Sequence, residues 1–564
     1  MRDERDIGLN NPLQYIFIAF ILSSFFYKTY SSDKLLAIII VSSFLCLLLF
    51  YKGMTIGIIL TLFFVVGLYN NILFYDYTLR EIEEIRVESI KSYYVIGKAS
   101  GRLVYLDIEK EDLKVGDKIL AKGKFKSEKD ISRGIIGEYE VNSYTVEKKD
   151  LISKLYNQRE ILYNAIKSRL GQRKAGFITS VAFGYSEALD SEDRADMKVF
   201  GISHAVAVSG LHMALVYGML KSVFGAKISL VIAFLYVLFT GASPSTVRAF
   251  TMIFIMNFAL VVKRNYNSLA AISLAGIILL LKNPYDLFAL GFQLSFLATL
   301  GIILFNKNIN KKLYKLPQYF RKAISVSISS QILTIPVLIY SFSEFSLNFL
   351  IGNILILPFI NILVVLGNSL LIVYKFKFIF NYVLYLCYFC IKAIDNIMDF
   401  LWSYKIEVLY LNFTVAYFYS ILLITYYFYK KNYKRFIILP IMALIYIGII
   451  TYNPVPNIKY YREGGILVSF KGERVLIQTK SIIDKIKLKR ITMADKVYKE
   501  FFKINIGDNI RIRKESKNYI LDIDGKEYML LVNKEKINGE YDIIDFSTGE
   551  LQEVIIFDKK VISR

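Results

Sequence analysis

Both histidines of the chain fall in one short apolar segment, Gly201-Ile202-Ser203-His204-Ala205-Val206-Ala207-Val208-Ser209-Gly210-Leu211-His212. An ionisable side chain in so apolar a run is costly unless it meets a partner or water, which marks it as functional. Their spacing predicts that His204 and His212 share nearly one helical face, roughly 12 Å apart along the axis. Ser209 and Gly210 between them allow a local break or a close helix contact. The plainer alternative is a pair of satisfied histidines at a helix interface. With 2 His in the whole chain and no Cys or carboxylate at ligand spacing, neither a metal nor a cofactor is expected.

Two further groups carry polar chemistry. Gly241-Ala242-Ser243-Pro244-Ser245-Thr246-Val247-Arg248-Ala249-Phe250 reads as a turn entering the next apolar run. Arg248 either snorkels to headgroups or offers its guanidinium to a phosphate backbone or a buried carboxylate. Asp286 is the candidate carboxylate. The third group, Asn283-Pro284-Tyr285-Asp286-Leu287-Phe288-Ala289-Leu290-Gly291-Phe292-Gln293-Leu294-Ser295-Phe296, places Gln293 and Ser295 inside an apolar run. Such residues commonly join helices. Cys387 and Cys390 read as ordinary helix packing.

The elements that must hold these groups are membrane helices. The chain has 564 residues, 55% hydrophobic, with 3 Cys and a mean hydropathy of +0.43. This excludes a disulfide-stapled secreted domain. Apolar runs long enough to cross a bilayer are read at about 13–30, 35–51, 54–74, 204–220, 228–240, 245–262, 268–282, 286–305, 323–341, 345–373, 378–401, 412–429 and 435–452. The first lacks a small-residue cleavage site, so it reads as a span rather than a cleaved leader. The formal charge of +22 fits basic loops on the cytoplasmic side. With the N-terminus inside and each run crossing once, Lys307, Lys311, Lys312, Lys315, Arg321 and Lys322 fall in one inner loop, and Lys430, Lys431, Lys434 and Arg435 in another. The short outer loops hold only Lys34 and Lys405. The segments 75–203 and 453–564 are then both extracytoplasmic.

Between the spans the pattern changes. Tyr94–Ala99, Arg102–Ile108, Lys118–Gly123 and Tyr139–Val146 alternate like short strands of a small barrel or sandwich, with a tight turn at Val115-Gly116-Asp117. Residues 151–200 read as an amphipathic helical approach segment. The tail from 453 opens on Asn453-Pro454-Val455-Pro456 and reads as a small β-rich domain, with a basic cluster at Lys485, Lys487, Lys489 and Arg490.

Together, Ser203-His204-x-x-Ala207-Val208-Ser209-Gly210-Leu211-His212, Pro244-Ser245-x-x-Arg248-Ala249 and Gly291-Phe292-Gln293-Leu294-Ser295-Phe296 resemble the ComEC family, the inner-membrane channel of bacterial competence. Gln331-Ile332-Leu333-Thr334-Ile335-Pro336, Asn353 through Pro358, and Gly184-Tyr185-Ser186 with Leu189 fit the same pattern. The resemblance covers roughly residues 1 to 450. It implies a polytopic α-helical membrane protein of about 13 spans with an extracytoplasmic OB-like β domain at 75–150, a channel domain at 201–452 and the β-rich tail. It also implies uptake of transforming DNA as a single strand. Ser203, His204, Ser209, Gly210, His212, Pro244, Ser245, Arg248, Gln293, Ser295 and Asn353 would line or shape its path. The implied partners are DNA, membrane lipids, a DNA receptor and a cytoplasmic ATP-driven translocase, since the chain has no Walker-type phosphate loop.

The chain departs from the family at its end. Many members close with a metallo-β-lactamase-like domain needing a His-x-His-x-Asp-His cluster, and no His follows His212. The tail is also shorter than the roughly 200 residues such a sandwich usually takes. It reads as a degenerate remnant, and the chain as a non-enzyme. The rival reading is a transporter of small or lipid-linked substrates, which inverted repeats would favour; the sequence shows none.

Overall fold

The computed structural model describes residues 12–563 except 53, 92–93, 109–112, 148–149, 207, 264, 462–463, 480–484, 508, 534–540, 548–551 and 559. Ala207 of the first motif lies outside the described residues. The chain forms two compact units, Met1–Thr334 with Ser346–Glu407, and Ile335–Phe345 with Val408–Arg564.

The first unit opens with three apolar helices, α1 (Pro12–Ser32), α2 (Lys34–Lys52) and α3 (Met54–Tyr75). Small residues let α1 and α3 cross closely: a Cβ on Gly67 would stand 2.3 Å from Ser23 Oγ, and Asn71 donates to Ser24. Five strands follow, β1 (Ile82–Ile90), β2 (Val95–Ala99), β3 (Arg102–Asp107), β4 (Lys118–Lys126) and β5 (Ile135–Val146). They close into a barrel in the order β1-β2-β3-β5-β4. Alternate residues turn inward, so Ile85, Val87, Val95, Val104, Ile119 and Tyr139 fill the interior.

The barrel is fixed to the helices at its rim. Tyr75 donates to the Ile131 carbonyl at 3.0 Å. Gly134 lies under the Tyr285 ring, where a Cβ would be 2.1 Å from the nearest ring carbon. Helix α4 (Leu151–Leu170) starts on the barrel: Asp150 caps it by accepting from Ser153 N at 2.8 Å, and Ser153 Oγ donates to the Gly116 carbonyl at 2.8 Å. Arg86 of β1 forks onto Asp150 and holds its carboxyl well below the usual carboxylate range. A lowered folded pKa stabilises above the unfolded value and is lost as pH falls through the folded one. Asp150→Ala should therefore cost about 1 kcal/mol at neutral pH, read as a lower unfolding temperature. Asp150→Asn, which keeps the cap, should cost less.

Residues 151–200 are more than an approach segment. Helix α5 (Gln172–Phe183) is buried without a break from Ala175 to Phe183. At 12 residues it is too short to span a bilayer. The hydroxyls in that stretch bond within the helix, Thr179 to the Ala175 carbonyl and Ser180 to that of Phe177. Helix α6 (Ser191–Val199) follows. The remaining helices of this unit are α7 (Gly210–Phe239), α8 (Pro244–Val261), α9 (Ser268–Lys282), α10 (Leu290–Lys312), α11 (Gln318–Phe342, shared with the second unit), α12 (Phe349–Leu355), α13 (Leu357–Val373) and α14 (Lys377–Trp402).

Among the described residues seven helices are long and apolar enough to cross a membrane, and an eighth if α12 and α13, bent by 50°, form one span. The chain is thus a polytopic helical membrane protein. The runs read at 204–220 and 228–240 are one helical element, α7, broken at Gly225 (φ 73°, ψ 173°). The first of them starts only at Gly210, because Ser209 is extended at the N-cap position. The 268–282 run is a helix of 15 residues, about 22 Å long and short of a bilayer core.

The second unit holds α15 (Phe413–Lys430) and α16 (Ile438–Tyr452), the pair β6 (Glu344–Phe345) and β7 (Leu409–Tyr410), and the tail. In α16 only 6% of the span is buried, so apolar side chains face outward on nearly every side, as lipid requires. The tail strands are β8 (Asn457–Tyr461), β9 (Gly465–Phe470), β10 (Glu473–Gln478), β11 (Lys496–Tyr498), β12 (Lys503–Ile506), β13 (Ile510–Glu515), β14 (Asn518–Ile523), β15 (Lys526–Leu531), β16 (Asp542–Asp545), β17 (Glu553–Phe557) and β18 (Lys560–Ser563). They form a six-stranded sheet, β11-β10-β9-β8-β17-β18, and a five-stranded one, β12-β13-β14-β15-β16. Ile458, Val468 and Ile477 of the first meet Ile506, Leu521 and Tyr528 of the second in one core. Two packed sheets are thus present in a tail shorter than a metallo-β-lactamase-like domain usually takes. Strands of 3 to 6 residues and a single described helix, α17 (Lys485–Thr492), fit two sheets into little chain. The basic cluster lies on α17, where Lys487 pairs with Glu344 at 2.6 Å.

Candidate functional site

Three separate stretches of sequence meet at Arg248. It lies one turn into α8, whose first residue, Pro244, has the fixed φ that suits a helix start. The guanidinium crosses to α10, where Nη1 donates to the Ser295 carbonyl at 2.6 Å and to the Thr299 hydroxyl. Its Nη2 faces α7: a Cβ on Gly210 would stand 2.5 Å away, so glycine makes room for the fork. Ser245 adds a second tie, donating to the Val208 carbonyl at 3.0 Å. Arg248 is only 7% exposed and its Nε has no hydrogen-bond partner. The helices α7, α8 and α10 are thereby joined by one buried cation.

Asp286 is not its counter-ion, contrary to the sequence expectation. It belongs to the turn Pro284–Phe288 and faces Asn283 at 3.4 Å. The pairing fails because the Arg248 guanidinium crosses to Ser295 and Thr299 of α10 rather than back to the loop. Gln293 also acts locally, donating to the Leu287 carbonyl at 2.9 Å.

The two histidines do not share a helical face. Ser203 and His204 lie on a single 3-10 turn, exposed, before α7 begins. His212 is buried in the first turn of α7, where its Nδ1 accepts from the Ser209 backbone N–H at 3.2 Å. The imidazole thus helps cap its own helix and is held as the Nε2–H tautomer, with Nε2 buried and unpartnered. The intervening extended Ser209 destroys the spacing that a continuous helix would have given.

The turn before His204 is clamped to α12. Gly201 (φ 66°) lies against Phe349, and a Cβ on Gly352 would be 2.5 Å from the Phe200 carbonyl. Asn348 donates to the carbonyls of Val199 and Ile406 at 3.1 and 2.7 Å. Asn353 donates to Ser327 of α11 at 3.1 Å, and its Oδ1 is buried and unpartnered. The break after α12 lies beside a shallow, open, apolar groove lined by Ile354, Leu355, Pro358 and Phe359 with Asn396 and Phe400. Asn353 thus ties the broken α12–α13 pair to α11 and is not among the residues that meet Arg248.

Sequence reasoning missed two charged centres. Arg173, opening α5, forks onto Asp193 and Asp395 at 2.6 and 2.8 Å. Arg159 of α4 is 5% exposed, with Nε and Nη2 unpartnered. Both lie in soluble-looking sequence, where a basic residue ordinarily faces water. A spacing of Tyr156, Arg159 and Tyr163 along one face of α4 is the one signal that could have found Arg159. Among the described residues no group of three or more His, Cys, Asp or Glu is placed to hold a metal. Cys387 is buried and unpaired, in keeping with packing.

The model of the competence-protein family matches residues 181–433, which include every one of these meeting points except the α4 and α5 cations. ComE operon protein 3 of Bacillus subtilis (strain 168) is 31% identical over 222 residues, 38% of this chain and 28% of that protein. An uncharacterized protein of Aquifex aeolicus (strain VF5) is 29% identical over 160 residues, 27% of this chain and 38% of that one. The aligned part thus spans well under half of either relative. No solved structure matches.

Proposed function

We propose, on the premise that this chain belongs through its membrane helices to the ComEC family of competence proteins, that it is an inner-membrane channel for uptake of single-stranded DNA. The observation that carries this reading is the convergence of the three motifs on Arg248. Polar side chains inside a membrane protein are retained where they shape a path or a joint between helices. Barrel strand order supports an OB-like domain, a fold that holds single strands by stacking and basic grooves. Tyr94 and Tyr105 stand edge to face at 5.5 Å, and Arg133 donates to the Tyr105 hydroxyl. Labelled DNA should enter cells carrying this chain and not cells lacking it; equal entry would end the proposal. A receptor outside and an ATP-driven translocase inside complete the proposed assembly.

The proposed topology places the N-terminus in the cytoplasm and the barrel and tail outside, on the loop charges. Cysteines placed at Ser127 and Ser516 should then react with an impermeant thiol reagent in intact cells. Protection of both would reverse the assignment.

This chain handles the strand without cutting it. Metal-activated hydrolysis needs several ligands held together, and the chain has 2 His. Purified full-length protein with Mg²⁺, Mn²⁺ or Zn²⁺ should leave end-labelled DNA intact, and metal-dependent cleavage would defeat this reading.

A further inference from the structure

The N-terminus of α8 lacks the cap its sequence offers. Ser243 occupies the N-cap position but makes no side-chain bond to the first-turn N–H groups. Its hydroxyl instead lies 3.0 Å from Ser245 Oγ and 3.2 Å from Thr246 Oγ1. Pro244 brings no N–H. The positive end of an 18-residue helix is left beside three hydroxyls, of which Ser245 donates to the Val208 carbonyl and Thr246 to that of Ser243.

Arg159 stands against this end. Its Cζ lies 4.3 Å from the Tyr156 ring centre and 5.4 Å from that of Phe239. Its Nη2 is 3.7 Å from where a Cβ on Gly241, two residues before Ser243, would be. The ionisable groups that act on it most strongly are Tyr156, Tyr185 and Tyr236, and Glu88 acts in turn on Tyr156. A buried guanidinium with two unpartnered nitrogens is an expensive arrangement unless an anion comes to it. Arg248 does not play this part, because its fork is engaged on α10.

We propose that Arg159 and the uncapped start of α8 form an anion site that takes one phosphodiester group of a nucleic-acid strand. The choice of a strand rests on the DNA reading above. It is favoured over a lipid headgroup by what α4 connects. Its first turn is bonded to the barrel through Ser153, and Tyr156 packs on Gly116, where a Cβ would be 2.9 Å away. One helical turn later comes Arg159, and another turn on comes Tyr163, its ring 5.8 Å from that of Tyr185. Aromatic faces beside a planar cation suit bases beside a phosphate, and the guanidinium fork matches two phosphate oxygens.

The test uses full-length protein in phosphatidylcholine nanodiscs and a fluorescent oligo-dT 20-mer, titrated with salt. Each phosphate contact adds about 0.7 to the slope of log affinity against log salt for a single strand. Arg159→Gln should weaken binding several-fold and flatten the slope by about that amount, while Arg159→Lys keeps most of it. Ser243→Asp should raise the unfolding temperature by supplying the missing cap and weaken oligonucleotide binding by filling the site. This variant separates anion binding from a folding defect. Unchanged slope and affinity in both Arg159→Gln and Ser243→Asp would overturn the site. A wild type that ignores the oligonucleotide, yet is stabilised by inorganic phosphate through Arg159, would refute the DNA reading and the strand assignment while leaving an anion site. An Arg159→Gln effect seen only in phosphatidylglycerol nanodiscs would assign the site to lipid and overturn the proposal.

Discussion

Arg248→Ala should reduce DNA uptake by on the order of 100-fold while the protein is still found in the membrane. The guanidinium touches α7 and α10 from its place on α8, through Gly210, Ser295 and Thr299. Deleting it removes the charged bonds to the Ser295 carbonyl and the Thr299 hydroxyl and opens a cavity beside Gly210. Losing a charged hydrogen-bonding group from such a place costs roughly 3 kcal/mol, about two decades in an equilibrium. Arg248→Lys should keep part of the activity, since an ammonium can reach α10 but has no second arm for α7. Gly210→Ala should be milder again, because the added Cβ meets the movable tip of a side chain rather than backbone. Cys387→Ala removes only apolar packing and should leave uptake intact. Labelled-DNA uptake normalised to membrane abundance checks all four. Normal uptake by Arg248→Ala at native abundance would leave the joint without a role in the path.

Much of this joint was legible because its parts are local patterns. Pro244 announces a helix start, and Gly210 beside Ser209 announces a close approach. Four of the five barrel strands show the alternation of a half-buried sheet. The first, Ile82–Ile90, does not, because Glu83, Glu84 and Arg86 dilute it. What was hidden depends on contacts far apart in sequence. The pairing of His212 with its own N-cap breaks a helix that periodicity extends through to His204. The burial of α5 follows from packing on α13, where Gly367 meets Ala182 and Asn368 reaches its carbonyl; the uncharged stretch Ala175–Phe183 is the one signal of it in α5 alone. Arg159 was invisible for the same reason. A lone cation in an amphipathic segment reads as solvated until the α7–α8 turn is known to close over it.

The second large effect concerns the N-terminus of α5. Arg173 is the cation between Asp193 of α6 and Asp395 of α14, and both carboxylates lift its own affinity for the proton. Asp193 is 2% exposed, and burial pushes its carboxyl upward even with Arg173 beside it. Arg173→Ala would leave that carboxylate charged in the interior with a second one nearby. Breaking a buried pair from one side costs about 3–5 kcal/mol, lowered here because the Arg173 side chain is 47% exposed. The expected result is a marked drop in membrane abundance and in the unfolding temperature of the purified protein. The sign with pH follows from the raised carboxyl. A carboxylate whose folded pKa lies above its unfolded value favours the fold when protonated, and that contribution is lost as pH rises through the folded value. The Arg173→Ala protein should therefore regain stability relative to wild type on acidification from neutral pH toward the usual carboxylate range. Adding Asp193→Asn should restore most of the loss at neutral pH, since a neutral amide no longer needs the cation. If Arg173→Ala and wild type unfold at the same temperature across this pH range, the fork is a surface contact and α5 is held by its apolar faces alone.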